Sequence, residues 1–79
     1  MRTPQWCHER HRPYVIRDLT IYEEYKNGMR KCDLARKYAL SPAMVDNLVH
    51  RWRQREEQEL EWYVEAKGWL NNEYSKMGR

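Results

Sequence analysis

Phenylalanine is absent from this chain of 79 residues, and glycine, proline and cysteine are scarce, at three, three and two. Each shortage excludes something. Two cysteines cannot build the disulfide framework of a small secreted domain, so Cys7 and Cys32 are expected as free thiols in a reducing compartment. Three glycines leave no Gly-rich phosphate loop, and there is neither a nucleophile elbow nor an acidic cluster with metal spacing, so no enzyme is expected. No apolar run is long enough to span a bilayer, mean hydropathy is −1.17, and no succession of charged, apolar and small residues marks a signal peptide. A cytoplasmic protein with no membrane partner is the expectation.

The apolar mass sits in four Trp and six Tyr, side chains that keep one polar handle at a surface. A chain this short makes one domain whose core supplies only about 3–5 kcal/mol by itself, so help from a partner chain is expected. Charge is unevenly placed. Residues 1–53 hold eleven Lys/Arg against six Asp/Glu, net +5, whereas residues 54–79 hold four against six, net −2. A basic body suits a polyanionic partner, while an acidic tail suits solvent or a protein.

Apolar periodicity predicts an all-α fold. In residues 14–26, Val15, Leu19 and Tyr22 form one stripe that Ile21 and Tyr25 widen, and Asn27-Gly28 supplies a left-handed stop. A short helix is predicted over 31–38, where Leu34, Ala35 and Tyr38 share a face and Asp33 suits the helix dipole. Ser41 as N-cap and Pro42 at the first position start a third helix. Its predicted core stripe is Met44, Val45, Leu48, Val49 and Trp52.

Residues 31–50, KCDLARKYALSPAMVDNLVH, resemble the helix-turn-helix of phage and bacterial DNA-binding proteins in the placing of Leu34, Ala35, Tyr38, Leu40, Val45 and Leu48. The wider segment IRDLTIYEEYKNGMRKCDLARKYALSPAMVDNLVHRW is similar to homeodomain-like domains of transposases, phage terminase small subunits and Mor-type activators. The resemblance implies a three-helix helix-turn-helix core over 14–53 with a helical extension after it. One departure stands out: Ala39 occupies the turn position where the family has Gly, and a positive φ there costs about 1 kcal/mol or more.

In the docked geometry of that family the third helix enters the major groove. Its outward residues Ser41, Ala43, Asp46, Asn47, His50 and Arg51 are then candidates for base contacts, with Asn47 suited to adenine and Arg51 to guanine or a phosphate. Asp46 accepts from a cytosine amino group or orients Arg51 or His50, and penalises non-specific binding. Arg30, Lys31, Arg36, Lys37 and Arg53 are the expected backbone contacts. Residues 1–13, with two prolines and no period, read as an extended basic arm whose Arg2, Arg10 and Arg12 suit the minor groove, or else as a disordered terminus. Trp6 points to some docking. Within it, Cys7-His8 and His11 lack the matched second pair of a zinc site, even with Cys32, and neither metal nor cofactor is expected.

After Gln54 the run of helix formers predicts that the third helix continues, directly or after a bend. Leu60, Tyr63, Val64, Leu70, Tyr74 and Met77 suggest one apolar stripe, and Trp62, Ala66 and Trp69 a second. One side can fold back on the three-helix body while the other meets a second chain, so residues 60–77 are expected as a homodimer interface, with Leu60, Trp62, Tyr63, Val64, Trp69, Leu70 and Tyr74 as contacts; the alternative is that both sides pack on the chain's own body. Three functions remain open: a sequence-specific regulator binding double-stranded DNA as a dimer, a module that grips a host protein through its Trp/Tyr-rich tail, and a terminase-like assembly protein.

Overall fold

The computed structural model describes residues 3–77, with side chains described through Glu73. Four α-helices follow two short 3₁₀ turns, Gln5–Cys7 and Glu9–His11: α1 is Arg12–Lys26, α2 Lys31–Lys37, α3 Pro42–Gln58 and α4 Leu60–Met77. No strand occurs among the described residues, in accord with the all-α expectation.

Two identical stops shape the first half. At the end of α1, Gly28 at φ 108° donates to the Tyr25 carbonyl (3.0 Å) and Met29 to that of Glu24 (3.1 Å). These are the paired bonds of a Schellman motif. The end of α2 repeats them: Ala39 N–H reaches the Arg36 carbonyl at 3.4 Å, and Leu40 that of Ala35 at 2.8 Å. Ala39 therefore adopts φ 57° despite its Cβ. Leu40, half-buried against the core, holds the chain in that strained turn. Ala39→Gly is expected to raise stability by about 0.5–1 kcal/mol, the strain released outweighing the added freedom of the unfolded chain, as a shift in the urea midpoint would show. Ser41 then caps α3 as its sequence predicts, its Oγ accepting from Met44 N–H at 3.2 Å.

All four helices share one core. Leu19 and Ile21 of α1, Leu34 and Ala35 of α2, and Val45, Leu48, Val49 and Trp52 of α3 are buried together, with Tyr63, Ala66 and Leu70 of α4 joining them. The small Ala35 lets α2 approach α3 closely. Met44 departs from the predicted stripe and is 53% exposed, because α1 and α2 cover only the side of α3 that carries 45, 48, 49 and 52.

The N-terminal residues correct the extended-arm reading. Trp6 packs edge-on against Trp52 with ring centroids 5.0 Å apart, and its indole N–H donates to Glu59 Oε2 at 2.7 Å. Cys7 is buried, its thiol against the Trp62 carbonyl at 3.6 Å. Arg12 is no part of an arm. It opens α1, pairs with Glu9 at 3.3 Å and lays its guanidinium over the Trp69 ring at 5.2 Å. Arg10 is exposed in the second 3₁₀ turn, and Arg2 lies outside the described residues.

Glu59, the single non-helical residue between α3 and α4, turns the chain back so that α4 packs on α1. This redistributes the two stripes expected of the tail. Tyr63, Ala66 and Leu70, spaced by three and four, face the chain's own core, with Trp62 and Trp69 half-buried beside them. Tyr63 and Leu70 are thus core residues rather than interface contacts. Leu60 and Val64 remain exposed, at 59% and 58%, and the Tyr74 and Met77 side chains lie outside the described residues.

Candidate nucleic-acid interface

Because α3 buries Val45, Leu48, Val49 and Trp52, its other side is left bare. Ala43, Asp46, Asn47, His50 and Arg51 are all exposed along it, spaced by three and four, so five of the six candidates for base contact lie on the side of α3 away from its core stripe, while Ser41, also exposed, precedes the helix as its N-cap. Gln54 belongs there too, with its Nε2 3.4 Å from His50 Nε2. It follows His50 by four residues and Asn47 by seven, and extending that helical spacing one turn would have found it.

The cations expected on the flank differ in how free they are. Arg36 is exposed and makes no ion pair among the described residues. Arg30, at the N-cap of α2, pairs with Asp33 of that helix at 3.3 Å, and Lys37 reaches Glu24 of α1 at 2.8 Å. Across α2 and α3, the Lys31 ammonium is bonded to the Asp46 carboxylate. That bond raises the Lys31 pKa and lowers that of Asp46. Arg53 is exposed near the Tyr22 hydroxyl. Together with Tyr25, Lys31, Asp46, Asn47 and His50 it lines an open hollow beside α3. Tyr25, half-buried with its ring 5.6 Å below the Lys31 ammonium, was legible only as a core residue.

Net charge separates sharply along the chain. Residues 30–55 carry seven Lys/Arg against two Asp/Glu, net +5, and residues 56–73 carry one against six, net −5. Glu56 of α3 and Glu23 of α1 belong to a network that ties α1, α3 and α4 together. Glu56 accepts from the Tyr22 hydroxyl at 2.7 Å and from Lys26 at 3.0 Å, while Glu23 accepts from the Tyr63 hydroxyl at 3.1 Å. Burial, then the Glu56 carboxylate, pushes the Tyr22 phenol up to about 12. Burial and Glu23 push Tyr63 in the same direction. For Glu56, burial works upward, but the bonds from Tyr22 and Lys26 outweigh it and hold its pKa below the usual range.

At the other end of α3, Arg55 lies between two indoles, 4.6 Å from the Trp6 centroid and 4.8 Å from that of Trp52. Burial, aided by the neighbouring Arg51, lowers its pKa. The arrangement spends this cation on packing. No group of three or more His, Cys, Asp or Glu among the described residues is placed to hold a metal ion, and Cys7 (buried) and Cys32 (exposed) are both free thiols.

No family model, no curated protein and no solved structure matches this chain.

Proposed function

We propose that this chain binds double-stranded DNA sequence-specifically, reading the major groove with residues 41–51 and Gln54, as a small regulator of the phage or mobile-element kind. The observation that carries the reading is the division of α3 into two faces. One face is core. The other, carrying Asp46, Asn47, His50, Arg51 and Gln54, is exposed among the described residues. A groove roughly 12 Å wide admits one helix with its side chains, and Asn47 and Arg51 are the residue types that pair bidentately with adenine and guanine. The positive charge of residues 30–55 beside that face, and the acidic charge displaced to residues 56–73, orient the molecule toward a polyanion.

Exposed Arg36 on α2, with Arg30 and Lys37 nearby, supplies contacts that position without reading. The phage or mobile-element assignment rests on the resemblance of residues 16–52 alone. A dimer remains part of the proposal through the exposed Leu60 and Val64, whereas Tyr63 and Leu70 no longer contribute. The test is selection of bound duplexes from a random pool. A recovered motif is the expected result, with an inverted repeat if two copies bind together. A pool that emerges unenriched, with no duplex retained even at low salt, overturns the proposal.

A further inference from the structure

An exposed carboxylate sits at the centre of the face just assigned to DNA, and its presence needs a physical account. Asp46 bonds to Lys31 across the α2–α3 corner. Stability does not explain it, because an ion pair this open to water holds little, and Leu34, Ala35, Val45 and Val49 already join the two helices. The hollow around the pair is lined by groups of another kind. Tyr25, Asn47, His50 and Arg53 surround the same space.

The geometry points to a seat for a DNA backbone phosphate at Lys31, which the Asp46 carboxylate fills in the free protein and a phosphodiester displaces on binding. This rests on the DNA-binding reading and gives that site its means of discrimination. A carboxylate and the non-bridging oxygens of a phosphate are equivalent acceptors for an ammonium group, so one substitutes for the other on Lys31. Arg53, which lines the same hollow and is exposed to solvent, adds a second cation beside the incoming phosphate. Released Asp46 is left facing base edges in a region of negative potential. Its favourable partner there is an exocyclic amino group, cytosine's foremost. Every sequence loses the Lys31–Asp46 pair, and only sequences presenting such an amino group restore a partner to the carboxylate. Random DNA is thereby disfavoured by an internal competitor.

The test compares the wild type, Asp46→Asn, Lys31→Met and the double variant in anisotropy titrations against a short random-sequence duplex and the selected site. In the wild-type background Asp46→Asn should tighten binding to random DNA by roughly five- to tenfold and narrow the gap between selected and random sequences. In the Lys31→Met background the same change should gain less than about threefold, since no seat remains to be vacated. Equal gains in both backgrounds would mean that Asp46 merely repels DNA, and would overturn the seat while leaving DNA binding intact. A wild type that binds while Asp46→Asn gains nothing has the same consequence. Failure of every variant to bind either duplex overturns the seat and the DNA-binding reading together.

Discussion

Trp52→Ala should abolish the cooperative fold. The indole is completely buried, meets Trp6 edge-on at 5.0 Å, lies 6.3 Å from the Tyr63 ring and carries the Arg55 guanidinium on its face. Those neighbours come from the N-terminal turns, α3 itself and α4, so truncation opens a cavity where three parts of the chain meet. Removing a buried aromatic of this size costs about 3–5 kcal/mol. A core of this chain's size supplies about the same amount in total. The variant is therefore expected to lose most of its helical circular dichroism at 25 °C, whereas Trp52→Phe, which keeps an aromatic ring in the site, should retain a cooperative urea transition at a lower midpoint. A Trp52→Ala protein with the wild-type midpoint would show that the core is organised elsewhere.

The Trp52 site also separates what the sequence disclosed from what it did not. Local signals were legible: Gly28 after α1, Ser41-Pro42 before α3, and the three- and four-residue spacing of Val45, Leu48, Val49 and Trp52. The resemblance to the helix-turn-helix also marked Ala39 as the turn position where that family has Gly, and Ala39 does adopt φ 57°. Contacts between distant segments were hidden. The 3₁₀ turns of residues 5–11 are too short to show a period, and the bond from Trp6 to Glu59 spans 53 residues. The break at Glu59 has no Pro or Gly to announce it, since it lies within a run of good helix formers. Its cause is tertiary: α4 must reverse to bury Tyr63, Ala66 and Leu70 on α1.

That reversal alters the balance between functions as well. The tail's large apolar residues were the argument for a module gripping a host protein. With Tyr63 and Leu70 in the core and Trp69 beneath Arg12, that argument loses its strongest anchors. Of the candidate site, the face of α3 was readable because it depends only on helical period. The state of each cation was not, because pairing of Lys37 with Glu24 and of Lys31 with Asp46 depends on how the helices cross.

The second large effect concerns that face. Asn47 and Arg51 are exposed, four residues apart on α3, and neither belongs to the core, so replacing both with Ala should leave the urea midpoint unchanged. On the selected site each lost bidentate contact costs about 1–3 kcal/mol. Together they should weaken binding by roughly a hundredfold or more, with a far smaller change on random DNA. Arg36→Ala serves as the contrast, because a residue that only touches phosphate should weaken both duplexes alike and reduce the salt slope by about one unit. The deciding measurement is the ratio of affinities for selected and random duplexes, taken for the wild type and for Asn47→Ala/Arg51→Ala at one salt concentration. The ratio is predicted to collapse toward one in the double variant while its fold is intact; an unchanged ratio in a folded double variant would contradict the assignment of α3 as the reading helix.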